Sequence, residues 1–145
     1  MSAFLSYEGT TDYLAATPAL VVTFAASGSI TAGRGVCFNT SGPGYVYQPS
    51  AVPSGSLVPA GVAIATVSDG DPVPVVVFGY VKSLPALPTT VSYANGQALV
   101  ISGSGYWSSS GSSALCATGV SAGKIISGSA GYIYAFINCM SNVGV

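Results

Sequence analysis

The sequence predicts an all-β fold, a compact β-barrel or sandwich built from two similar β-hairpin repeats with an extended N-terminal arm. Three observations carry that expectation. β-Branched and aromatic residues gather in short runs between Gly, Pro, Ser and Asn clusters, as strands and turns require. The 19 glycines and 9 prolines are spread through the whole chain, and both are poor in helix interiors. No segment carries apolar residues at i, i+3, i+4 and i+7 between a capping residue and a glycine stop.

Residues 1–18 form the arm, which holds Phe4, Leu5, Tyr7, Tyr13 and Leu14 with the acids Glu8 and Asp12. Phe4, Leu5, Tyr7 and Tyr13 are the candidate partner-binding residues. Chain ends are loose unless tied down. An arm this aromatic is expected either to add a strand to its own sheet or to pair with an open edge of a neighbour.

Residues 19–145 form a single β domain. Its predicted strands are Ala19–Phe24, Gly35–Asn39, Tyr45–Gln48, Gly61–Val67, Val73–Lys82, Ala98–Ser102, Lys124–Ser127 and Tyr132–Asn138. Both faces are apolar in Val73–Tyr80 and in Tyr132–Ile137, so each of these strands is expected to be covered on both sides. Pro72 and Pro74 have no N–H to donate, which puts the start of that strand at an edge or a bulge. Ser41-Gly42-Pro43-Gly44 and Ser102-Gly103-Ser104-Gly105 read as hairpin turns with glycine at positive φ.

Two pseudo-repeats span residues 33–82 and 96–138. The first runs from Gly33 through GVCFN and Ser41-Gly42-Pro43-Gly44-Tyr45. The second runs from Gly96 through ALVI and Ser102-Gly103-Ser104-Gly105-Tyr106. Each continues through a Ser/Pro/Ala-rich stretch to a strand opened by glycine, Gly61-Val62-Ala63-Ile64 or Gly123-Lys124-Ile125-Ile126. Each then ends in a turn and a strong apolar strand. Tyr45 to Gly61 is 16 residues and Tyr106 to Gly123 is 17. The copies share spacing more than identity, which fits a duplicated β unit or a common rhythm of short strands. Repetition of one unit is a common way to close a core.

Composition excludes several functions. Only 5% of residues are charged, with three basic and four acidic residues and no histidine, against about 25% charged in an ordinary soluble domain. Half the residues are apolar, so much of the surface is expected to be covered in the working state. Arg34, Lys82 and Lys124 cannot form the basic stripe that nucleic acid demands, nor a polybasic membrane patch. The apolar stretch ending at Ala25-Ala26-Ser27 is preceded by Glu8 and Asp12 where a signal peptide needs positive charge. No run approaches the ~18 apolar residues of a membrane helix. Cys37, Cys116 and Cys139 are odd in number and form no closed disulfide framework. Cys37 and Cys139 are expected to be buried as small hydrophobes, with one disulfide and a spare thiol as the alternative.

Catalytic spellings lack their partners. Gly119-Val120-Ser121-Ala122-Gly123 matches a nucleophile elbow, but the serine needs an oriented base and no histidine exists. Ser121 and Lys124 spell a serine–lysine pair, yet Gly119 and Gly123 break the helix that would align them. The cysteines lie too far apart in sequence for a zinc motif. Asp69-Gly70-Asp71 reads as a solvated turn rather than a calcium loop. Asn39-Thr40-Ser41 is a glycosylation sequon, meaningful only in a secretory host. No enzyme activity, cofactor or metal is expected.

With these segments in view, the chain resembles the small β-rich head-decoration (capsid cement) proteins of tailed bacteriophages. The resemblance covers residues 18–138. It rests on ITAGRGVCFN as entry to the first strand, and on PAGVAIATVSDGDPVPVVVFGYVKSLPA, a Gly-Val-Ala strand, a Gly-acid turn and an apolar strand. NGQALVISGSGYWSSSGSSALCATGV and GKIISGSAGYIYAFIN repeat that plan. The chain departs from the pattern in its low charge and its many aromatics. The resemblance implies a trimer on the outer surface of a major capsid protein lattice, stabilising the shell, with the virion as its location. Two other classes compete. One is a self-assembling shell, fibre or pilin-like subunit. The other is a carbohydrate- or receptor-binding module using Tyr45, Tyr47, Tyr106 and Trp107 as a platform.

Without histidine no imidazole changes charge between about pH 5 and pH 8. The melting temperature is therefore expected to vary by less than about 2 °C across that window, as differential scanning calorimetry would read it.

Overall fold

The computed structural model describes residues 19–50, 57–86, 93–109, 121–129 and 131–140. The described residues form nine strands and no α-helix. The strands are β1 (Leu20–Ala26), β2 (Gly35–Phe38), β3 (Tyr45–Tyr47), β4 (Pro59–Ala63), β5 (Pro72–Pro85), β6 (Ala98–Ile101), β7 (Trp107–Ser109), β8 (Gly123–Ser129) and β9 (Tyr132–Asn138). A 3-10 turn at Gly103–Gly105 joins β6 to β7.

All nine lie in one sheet in the order β1-β3-β2-β4-β5-β9-β8-β6-β7. β1 also pairs with β5, so the first five strands close into a barrel. Closure needs one parallel contact, β1 against β3 at Ala25–Tyr45 and Ala26–Val46. The interior of this barrel is Ala26, Val36, Val46, Ala63, Val73 and Val75 with their neighbours. Beyond it, β5, β9, β8, β6 and β7 form a second ring. A single parallel bridge from Ala86 to Trp107 returns the end of β5 to β7. Leu84, Leu99, Trp107, Ile125, Ile133 and Ile137 belong to the core of this half.

The two rings repeat the same ladders in the same register. Val36 faces Gly61 as Leu99 faces Gly123, and Phe38 faces Val46 as Ile101 faces Trp107. Ala63 faces Val75 as Ile125 faces Ala135. The loop contacts recur too: Gly33 N–H donates to the Ala63 carbonyl (2.7 Å) and Gly96 N–H to the Ile125 carbonyl (2.8 Å). The parallel bridge of Ala86 has its counterpart in Ala26, and both N–H groups reach across, to Asp71 (2.9 Å) and Gly131 (2.9 Å) respectively.

Gly61 and Gly123 explain why a glycine opens each of the paired strands. Their φ values are +150° and +151°, a region side chains avoid. A Cβ on Gly61 would run into the Val76 carbonyl, and one on Gly123 into the Phe136 carbonyl. Each glycine lets two backbones cross more closely than any side chain permits.

Some elements differ from the sequence expectation. β7 is not among the predicted strands, although the hairpin turn at Ser102–Gly105 calls for a strand after it. β4 stops at Ala63 rather than Val67: Ile64 N–H donates to the Pro74 carbonyl (3.0 Å), but Pro74 has no N–H to return the bond. Pro72 and Pro74 thus lie inside a closed ring, paired with Ala25 and Thr23 on the β1 side. β5 runs past Lys82 to Pro85 with a register shift after Val81, where Ser83 takes φ +59°. β9 is covered on one face only: Ile133, Ala135 and Ile137 are buried, whereas Tyr132 is 64% exposed and Tyr134 and Phe136 are half-buried. The two expected hairpin turns do carry glycine at positive φ, Gly44 at +82° and Gly105 at +78°.

Gly61→Ala and Gly123→Ala should each cost about 3 kcal/mol or more in urea unfolding, through overpacking and a forbidden φ together. Gly44→Ala, with open space around it, should cost only about 1 kcal/mol.

Candidate functional site

The groups that spell catalysis are dispersed. Lys124 lies within strand β8 and is exposed, so it does not share a helical face with Ser121. Asp69 accepts from the Gly28 N–H (2.7 Å) and Asp71 from the Ser68 N–H (3.1 Å), so both carboxylates cap a turn. Among the described residues no three of His, Cys, Asp and Glu gather as a metal site. A surface cleft of ≈ 380 Å³ is lined by Ser27, Phe38, Asn39, Thr40, Tyr47 and Val58, none of them a carboxylate, amine or imidazole. Asn39 of the sequon turns inward, accepting from the Ser41 N–H (3.0 Å) and donating to Ser27 Oγ (3.2 Å). Cys37 and Cys139 are buried, and the Cys139 thiol points at the Ala122 carbonyl (3.6 Å). Cys116 lies outside the described residues.

The four aromatics of a binding platform do not assemble into one. Trp107 is 0% exposed and its indole N–H donates to the Gly33 carbonyl (2.9 Å). Tyr106 lies under the Arg34 guanidinium, 4.0 Å from carbon to ring centroid, and its hydroxyl accepts from Arg34 (3.0 Å). Arg34 also donates to the Ser104 carbonyl (2.7 Å), which Gln48 reaches as well (3.1 Å). Tyr47 packs against the larger core, and only Tyr45 is open to solvent. Arg34, Gln48, Tyr106 and Trp107 thus fasten the first ring to the second.

Phe4, Leu5, Tyr7 and Tyr13 lie outside the described residues. The described surface has instead two apolar features that the sequence reading did not single out. The first is an aromatic face along the β5–β9 ladder. Tyr80 stands opposite Phe136, and Phe136 opposite Lys124, and directly opposed residues project to the same side. Ring centroids are 5.0 Å apart for Phe78–Phe136, 5.0 Å for Tyr80–Phe136 and 6.3 Å for Tyr80–Tyr134. Such a cluster is unusual on an open sheet face, since exposed apolar patches mark interaction sites. Its signal was present in the alternation itself: in Tyr132-Ile133-Tyr134-Ala135-Phe136-Ile137 the aromatics take one face and the aliphatics the other.

The second feature is the mouth of the first barrel. Leu20, Val22, Phe24, Phe38, Val77 and Met140 are among the residues lining a cavity of ≈ 220 Å³. Leu20 and Val22 on its rim are 40% and 37% exposed. β1 supplies Leu20, Val22 and Phe24 at alternate positions, the spacing that puts them on one face of a strand.

Among the described residues lie two closed or nearly closed rings, no assembled catalytic group and two open apolar surfaces. The chain belongs to the phage cement protein family, which matches residues 15–132. It is a non-enzymatic component of a phage capsid. Among solved structures, the fold is similar to a chain in the capsid of Myoviridae phage XM1. The two are 16% identical with a TM-score of 0.64, over 95% of this chain and 96% of that one. It is also similar to the head fiber gp8.5 N base of bacteriophage phi29. There the identity is 16% and the TM-score 0.54, over 83% of this chain and 94% of that one. No curated protein matches the sequence.

Burial, and then the neighbouring Cys37, pushes the Tyr47 hydroxyl above its usual ionisation range. The folded state holds that proton more tightly, so the stabilisation is full below the unfolded value of about 10 and is lost as pH rises through the folded value. Tyr47→Phe should therefore flatten part of the alkaline loss of stability, seen as a shallower fall of melting temperature above about pH 10.

Proposed function

We propose that this cement protein seats on the outer surface of the major capsid protein lattice as a homotrimer and braces the shell against the pressure of packaged genome. The observation that carries the reading is the family match over residues 15–132. The surface chemistry supports it. A contact protein needs apolar area and little net charge to repel neighbouring copies, and formal charge here is −1. Lattice repetition then turns a modest contact into tight binding.

The arm, residues 1–18, is the proposed grip on the shell, with Phe4, Leu5, Tyr7 and Tyr13 as its contacts. The recurring ladders support reading residues 19–145 as one β domain made from a duplicated unit, with repeats at 33–82 and 96–138.

Purified protein added to bare capsids should bind in a saturable, lattice-stoichiometric way and raise the temperature at which the shells burst. Filaments or empty shells formed by the protein alone would instead indicate a self-polymerising subunit. Deleting residues 2–14 should weaken capsid binding at least about tenfold, a loss of about 1.4 kcal/mol. Unchanged binding would remove the arm from the contact.

A further inference from the structure

We infer that copies of this chain associate head to tail, repeating between molecules the contact that the two rings already make within one. The inference rests on the trimeric reading above and specifies the surfaces that join the copies.

The shared registers make the two rings comparable residue by residue. Phe24, Phe38, Ala60 and Val77 at the mouth of the first ring correspond to Leu84, Ile101, Ala122 and Ile137 of the second. All four residues of the second ring are 0% exposed. They share one continuous core with Cys37, Val62 and Val76, which point outward from the first ring. The fit is close enough that a Cβ on Gly35 would come within 2.7 Å of the Ile101 side chain. The outer face of ring one therefore plugs the mouth of ring two.

Neither half of that contact is used a second time among the described residues. The mouth of ring one stays open: Phe24 and Phe38 are only half-buried, and Leu20 and Val22 stand on its rim. The outer face of ring two is open as well. Val62 and Val76, fully buried in ring one, have Lys124 and Phe136 as their counterparts in ring two, one exposed and the other half-buried beside Tyr80 and Tyr134. Among the described residues, one molecule thus carries an apolar socket with no plug and a plug-like aromatic face with no socket. The long Lys124 stem can lie over apolar surface while its ammonium stays wet at the rim. A second copy of the chain supplies the matching half of each.

Such a contact joins two different patches, so it is heterologous: it closes into a ring where the rotation permits and otherwise propagates. Closure at three copies makes the trimer.

Two variants test this, Val22→Asp in the socket and Phe136→Asp on the face, with sedimentation velocity as the readout. Wild type should run as a discrete oligomer and each variant alone as a monomer. Mixed in equal amounts the variants should form a dimer and nothing larger, because one intact socket and one intact face remain between them. Tyr80→Asp replaces Phe136→Asp if the latter melts well below wild type. Variants that stay oligomeric alone, or a mixture that stays monomeric, would overturn the head-to-tail contact. Wild type that loads onto bare capsids, but whose copies cannot be cross-linked to one another in solution or on the shell, would also overturn it, leaving the capsid role standing. Rings that form in solution and fail to load would support the contact and overturn the proposed seating on the outer lattice.

Discussion

The structure depends on one strand being shared by two rings. β5 spends Pro72–Phe78 closing the first barrel against β1 and β4, then pairs from Phe78 to Pro85 with β9 of the second. Its side chains are divided accordingly. Val73, Val75 and Val77 enter one core, while Val76, Val81 and Leu84 enter the other. A strand used in this way must be apolar on both faces. The sequence of Val73–Val81 meets that demand more fully than any other stretch of the chain. The remaining strands can be understood as two sets arranged about this axis, each turned back by a glycine that lets the backbones cross.

The division between the rings is sealed by few but specific contacts. Arg34 reaches the Ser104 carbonyl and lies over Tyr106, while the Trp107 indole crosses to Gly33. These residues gather from segments that are 70 or more positions apart in sequence. In a chain with so few ionic groups, one of its three cations is thus devoted to internal fastening rather than to the surface. The buried indole satisfies its only donor, as a fully enclosed tryptophan must.

Much of this architecture was legible in the residues. The strand–turn rhythm, the glycines at positions 44, 61, 105 and 123 and the two similar segments each correspond to a structural event. What local pattern could not supply came from pairing partners far away in sequence. Trp107-Ser108-Ser109 follows a hairpin turn but carries little β-branched character, and it becomes a strand because β6 lies alongside it. Residues 64–67 have strand propensity and leave the ladder because a proline faces Ile64. The apolar surfaces were legible only in part. Alternation in Tyr132–Ile137 shows that aromatics and aliphatics part company, but not that the aromatic side stays open. That outcome depends on which side of the sheet the first ring occupies. The aromatic arm drew attention by its composition, whereas the barrel mouth is assembled from β1, β2, β4 and β5 and has no continuous trace in the chain.

Ring closure has one more consequence, concerning the interval between synthesis and use. A chain that is half apolar and almost uncharged is poorly protected against fibril formation if it presents long free strand edges. Here the first ring bonds its own edges together, through the parallel seam of β1 and β3, and so denies passing strands a backbone template. Adhesion is left to side chains, whose fit can discriminate between partners. Such a molecule keeps the backbone of its first ring closed to other strands while its apolar side chains stay available to a partner surface.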